Sequence, residues 1–205
     1  MTKERLDNLI EKKKKENDES AIEFLESLKS SLDKWGDLTQ KQINALERIE
    51  YLSSPAGLRY AENWKKEYLD NLQAKAKICA RYYLANPPYF NDLASKIISS
   101  SEFVPTEKQF RAMCENKYTI RVLKEAQREP LFATGDIVQI RDAATMPYPL
   151  FGLRGKPCVV IENDTGIVTT HAKGAKQYRV LPFGQSTVID CQERYLKGFM
   201  RQKSA

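Results

Sequence analysis

Thr134-Gly135-Asp136-Ile137-Val138-Gln139-Ile140-Arg141 is where the chain changes period. Upstream of it, apolar residues recur at the spacing of amphipathic helices. Within it they alternate, as on a half-buried strand. Downstream, residues 156–162 carry the apolar run Cys158-Val159-Val160-Ile161, 177–181 and 186–190 read as two further short strands, and 192–196 as the last turn and strand. Gly and Pro punctuate them, which suggests a small barrel or sandwich. The expected fold class is therefore α+β: an all-helical repeat domain to about residue 130, a small β-barrel over 131–200 and a tail at 201–205.

Working back from that boundary, the helical part contains one phrase twice. Thr39-Gln40-Lys41-Gln42-Ile43-Asn44-Ala45-Leu46 returns as Thr106-Glu107-Lys108-Gln109-Phe110-Arg111-Ala112-Met113. In each, Thr can accept from the amide three residues on and Gln can reach back, forming a capping box. Leu38 and Ile43 stand at the staple positions around the first box. Ile22, Leu25, Leu28 and Leu32 precede it at helical spacing, with Gly36 suited to the left-handed cap. Phe90, Leu93 and Ile97 precede the second copy in the same way. Two related helix-turn-helix units, 21–52 and 89–118, follow from this pattern.

A partly exposed helix over residues 3–16 leads in, with Leu6, Leu9 and Ile10 as its apolar stripe and Lys12, Lys13, Lys14 and Lys15 at its end. Residues 58–84 form a long helix between the two units, stopped by Asn86-Pro87-Pro88. A last helix runs through Ile120, Val122, Leu123 and Ala126. Trp35, Trp64, Tyr68, Tyr82, Tyr83, Tyr89 and Phe90 are expected to fill the core between the repeats.

The chain has 33 basic and 27 acidic residues, a net charge of +6. Residues 131–205 hold 10 of the basic and 6 of the acidic side chains, so +4 of that excess lies there. A mild cationic bias is compatible with a phosphate-rich partner. No apolar run approaches the length of a membrane span, and the first residues show no apolar signal region. A cytoplasmic protein with reduced, buried thiols is expected, with no membrane partner.

The stretch 135–140, followed by Gly152-Leu153-Arg154-Gly155-Lys156-Pro157-Cys158-Val159-Val160, resembles an SH3-like barrel of the KOW type. That family occurs in ribosomal proteins and transcription elongation factors. The shared features are a Gly-Asp-x-Val opening strand, a basic glycine-containing turn and an apolar second strand. Tyr178-Arg179-Val180-Leu181, Ser186-Thr187-Val188-Ile189 and Glu193-Arg194-Tyr195-Leu196 resemble the strand-hairpin-strand ending of such modules. The connection 142–151, with Met146-Pro147-Tyr148-Pro149, departs from the compact KOW turn. The Leu-Thr-x-Lys-Gln phrase is similar to segments of uncharacterised or replication-associated proteins of DNA bacteriophages, which implies a phage-encoded protein acting in a host cytoplasm.

No residue pattern for catalysis stands out. Cys79, Cys114, Cys158 and Cys191 form no Cys-x-x-Cys pair, His171 is the single histidine, and no phosphate-binding Gly-rich loop is present. A non-enzymatic accessory protein with no metal or cofactor is expected. Its partner would be DNA or RNA, or a polymerase, helicase or ribosome complex. Arg141, Arg154, Lys156, Lys173, Lys176 and Arg179 are the candidate phosphate contacts, interleaved with Tyr148, Phe151, Tyr178 and Phe183. The Arg154-Gly155-Lys156 turn reads equally well as a solvated turn. Lys41 and Lys108 oppose the helix dipole at matching positions, so they either meet a partner's anion or record common descent of the repeats. The alternative is a protein–protein adaptor or virion component that docks its partner on Tyr148, Leu150 and Phe151.

Overall fold

The computed structural model describes residues 2–143 and 145–199; the expected tail at 201–205 lies outside them. Helices precede a five-stranded antiparallel sheet, an α+β arrangement. The chain divides into two compact units, Met1–Glu67 and Tyr68–Ala205. One repeat, 21–52, falls in the first unit and the other, 89–118, in the second.

The first unit holds α1 (Thr2–Lys15), α2 (Glu19–Trp35), α3 (Gln40–Ser53) and α4 (Pro55–Glu67). Its core joins Leu6, Leu9 and Ile10 of α1 to Leu25 and Leu28 of α2, with Leu38 and Leu46. The α1 stripe is thus built into this core. Asp18 caps α2, accepting from Ala21 N at 3.2 Å. Gly36 ends it with φ 78°, donating to Leu32 O at 2.9 Å. Thr39 caps α3 through the expected box: Gln42 N donates to Thr39 Oγ1 at 3.4 Å and Thr39 N to Gln42 Oε1 at 2.8 Å.

The second unit begins with a π-helical turn (Tyr68–Leu72), then α5 (Gln73–Ala85), α6 (Asn91–Ser99), α7 (Glu107–Cys114) and α8 (Lys117–Gln127). Thr106 repeats the capping box at the head of α7, with Gln109 N donating to Thr106 Oγ1 at 3.3 Å and Thr106 N to Gln109 Oε1 at 2.9 Å. Ala76, Cys79, Ala80, Tyr82, Tyr83, Ala94, Ile97, Met113 and Val122 are buried here. The aromatic set does not form one core. Trp35 and Tyr89 are each 73% exposed. Trp35 lies at the C-terminal end of α2, one residue before the Gly36 cap, and Tyr89 beside the left-handed Phe90.

The strands are β1 (Ile137–Ile140), β2 (Pro157–Glu162), β3 (Gln177–Pro182), β4 (Ile189–Gln192) and β5 (Leu196–Gly198), in the order β4-β3-β2-β1-β5. Alternate residues turn inward: Val138 and Ile140, Cys158 and Val160, Tyr178 and Val180, with Cys191 and Leu196. A bulge between Val160 and Glu162 shifts the β2–β3 register. Against expectation, 186–188 is not strand. β4 starts at Ile189, because its pairing with β3 runs from Val180↔Ile189 to Gln177↔Gln192. A 3-10 turn (Glu193–Tyr195) joins β4 to β5, and a short helix α9 (Tyr148–Phe151) fills the connection 142–151.

Candidate functional site

Asn116 sets the position of α8. Its side-chain oxygen accepts from Tyr118 N at 3.1 Å and Thr119 N at 3.2 Å, while its amide donates to the Tyr83 hydroxyl of α5 at 2.8 Å. α8 buries Thr119 and Val122 on one side. Arg121, Lys124, Glu125 and Arg128 follow at helical spacings of three and four, so they share a face. Opposite lies the β2–β3 loop with His171, Ala172 and Lys173. Between helix and loop is a cleft of about 800 Å³, lined by Arg121, Lys124, Glu125, Gln127, Arg128, His171, Ala172 and Lys173.

A buried ionic network holds the two walls. Arg128 donates to Glu125 Oε1 at 2.8 Å and also pairs with Glu193. Glu125 Oε1 accepts from Gly174 N at 2.9 Å. Glu193 Oε2 accepts from the Tyr178 hydroxyl at 2.8 Å and Leu131 N at 3.0 Å. Burial opposes ionisation of Glu125, but Arg128 and the Gly174 and Ala175 amides outweigh it and hold the carboxyl below its ordinary range. The bond to Glu125, joined by that to Glu193, raises Arg128 further above its already high value. Burial, with Glu193 adjacent, raises the Tyr178 hydroxyl. At Gly174, φ is +74° and an added Cβ would meet Arg194 Cβ at 2.9 Å, so only glycine fits this seat. Asn86 Nδ2 fixes the loop from α5, donating to Thr169 O at 2.8 Å.

With Arg128 committed to two carboxylates, Arg121, Lys124 and Lys173 supply the cleft's available charge. None of the three makes an ion pair among the described residues. Of two neighbouring rings, His171 lines the cleft and Tyr118, on the first turn of α8, packs against it from outside the lining. Tyr118 and His171 have centroids 5.3 Å apart at 66°, and the Tyr82 hydroxyl lies 3.3 Å from His171 Nδ1.

The sequence candidates are distributed differently from expectation. Lys173 is in the cleft. Lys176 is 1% exposed, paired with Asp164 and donating to Ala126 O at 2.9 Å. These bonds hold the Lys176 ammonium inside the chain, next to the isolated Val168↔Lys176 bridge. Arg141 donates to Leu196 O at 2.7 Å. Arg154 stacks on Phe151 at 3.7 Å, lies 3.4 Å from Asp142 and donates to Ala143 O at 3.1 Å. Arg179 lies between Glu162 at 3.5 Å and Asp190 at 3.8 Å. Lys156 is half-buried at the turn before β2. Lys41 and Lys108 are exposed in the first turns of α3 and α7, in separate units. Of the proposed docking residues, Tyr148 is 93% exposed and Phe151 half-exposed, but Leu150 is 1% exposed within the sheet's core. Tyr178 is also core, and Phe183 is exposed.

Arg121, Lys124 and His171 were not among the sequence candidates for binding. The available signal was cations at 121, 124 and 128 on one helical face. Their meeting with residues 171–173 depends on tertiary structure. Among the described residues no group of three or more His, Cys, Asp or Glu could hold a metal, and no helix is long and apolar enough to cross a membrane. Comparison with protein-family models, curated proteins and solved structures gives no match to this chain.

Proposed function

We propose that this is a non-enzymatic accessory protein that binds nucleic acid, and that the cleft between α8 and the β2–β3 loop is its backbone contact. The observation that carries this is the trio Arg121, Lys124 and Lys173, with no ion pair among the described residues, on walls fixed by the Glu125–Arg128–Glu193 network. Cations held ready in a concave site concentrate phosphate charge at low cost in ordering. The strand order β4-β3-β2-β1-β5 and the 3-10 turn before β5 support an SH3-like reading of the sheet, with closure into a barrel as the expectation. Nucleic acid held by a polymerase, helicase or ribosome is an equivalent target for such a cleft.

A second reading, a protein–protein adaptor, is favoured by the exposure of Tyr148 and Phe151 around α9. The two readings separate in an electrophoretic shift titration of the full chain with mixed-sequence DNA and RNA at low and moderate salt. Nucleic-acid binding predicts a shift that weakens steeply with salt. Absence of any shift at low salt removes the direct form and leaves the adaptor.

A further inference from the structure

The geometry points to an unpaired nucleic-acid strand, rather than a duplex, as the occupant of the α8 cleft. This inference rests on the nucleic-acid reading of that site and narrows it. Size is the first reason. A volume of about 800 Å³ is that of a pocket for a compact ligand. A B-form duplex is instead read by an element that projects into a groove about 12 Å wide. No such projection lines the cleft, whose walls are the side of α8 and a loop.

The second reason is the ring pair formed by His171 of the cleft lining and Tyr118 beside it. Tyr118 retains 42% of its surface and His171 is exposed. Their 66° angle means that they do not stack on each other, so ring surface remains for a third planar group. The Tyr82 hydroxyl lies 3.3 Å from His171 Nδ1, and Lys117 Nζ lies over one face of the Tyr118 ring, 5.0 Å from its centroid, which leaves the other face for a base. A duplex hides its base faces within the stack, whereas an unpaired strand offers them to aromatic side chains.

The third reason is spacing. Tyr118, Arg121 and Lys124 succeed one another every three residues along α8, a rise of about 4.5 Å per step. An aromatic platform followed by cations suits a base on Tyr118 and His171, with successive phosphates on Arg121, Lys124 and Lys173. Glu125 and Arg128 are excluded from this contact, since each is spent on the network that holds the walls.

The test is fluorescence anisotropy of the full chain with a labelled oligothymidylate and a labelled duplex of equal length, with thymidine monophosphate as competitor. The single strand is expected to bind about tenfold more tightly than the duplex. Tyr118→Ala should weaken single-strand binding about tenfold, the scale of one stacked base, and leave the salt slope unchanged. Tyr118→Phe, which keeps the ring, should stay near wild type, and a urea midpoint of Tyr118→Ala close to wild type shows that the alanine effect is not misfolding. Equal affinity for both forms, or an unaltered Tyr118→Ala, overturns the unpaired-strand assignment while the nucleic-acid reading stands. Monophosphate binding as tightly as the oligomer also overturns it. No binding to either form at low salt removes both.

Discussion

Two cationic regions of the second unit carry similar charge but present it differently. Around the sheet, Arg141, Arg154 and Arg179 are engaged within the chain, by a carbonyl, by Phe151 with Asp142, and by Glu162 with Asp190. Along α8, Arg121 and Lys124 meet Lys173 across a cleft without an ion pair among the described residues. Arg128 accounts for the difference. It neutralises the two buried carboxylates, Glu125 and Glu193, that would otherwise draw on the cleft's cations. Counting cations therefore gives little guide to a binding surface, and their existing partners decide which are available.

The largest expected effect comes from removing that arginine. Arg128→Met leaves two carboxylates without their cation and should destabilise the second unit by about 3–5 kcal/mol, read from urea unfolding. A loss within a few tenths of a kcal/mol would mean that the network does not hold the cleft. Gly174→Ala follows. A left-handed backbone and contact with Arg194 should cost about 1–2 kcal/mol. It should also weaken nucleic-acid binding through Lys173 and His171, whereas Gly184→Ala, where a Cβ meets open space, should leave binding intact.

Acid titration sharpens the same contrast. Glu125 is depressed when folded, so its contribution is complete above the ordinary carboxylate value and is lost as pH falls through the folded one. Stability of the second unit should therefore drop below about pH 4.5. Glu125→Gln should start lower at neutral pH and flatten that decline; an unchanged profile would contradict the network. The smallest effects belong to the repeat. Thr39→Ala and Thr106→Ala should each cost about 1 kcal/mol in thermal unfolding. Lys41→Ala and Lys108→Ala should leave stability equal or slightly higher, because a cation opposes the dipole there.

The capping boxes were legible in sequence because every partner lies within four residues. The alternation of β1 was legible too, since it is local, whereas the apolar run 158–161 did not tell that Ile161 of β2 is exposed while Cys158 and Val160 turn inward. Lys176 misled because its polar neighbourhood looks like a solvated loop, while its charge partner, Asp164, lies 12 residues earlier and its other acceptor, Ala126 O, lies on α8. Leu150 misled because its exposed neighbours Tyr148 and Phe151 conceal one inward turn of α9. Arg121 and Lys124 read as an ordinary helix surface, since the loop that turns that surface into a cleft lies some fifty residues later in the chain.

The central claim is that available cations, not total cations, make the binding surface. The most direct measurement is the slope of log affinity against log salt for single-stranded DNA, in wild type and two triple variants. Arg121→Ala/Lys124→Ala/Lys173→Ala should lower the slope by about 2, near 0.7 for each phosphate that is no longer neutralised. Arg141→Ala/Arg154→Ala/Arg179→Ala should leave it unchanged. A slope that falls in the sheet triple and holds in the cleft triple would contradict the account.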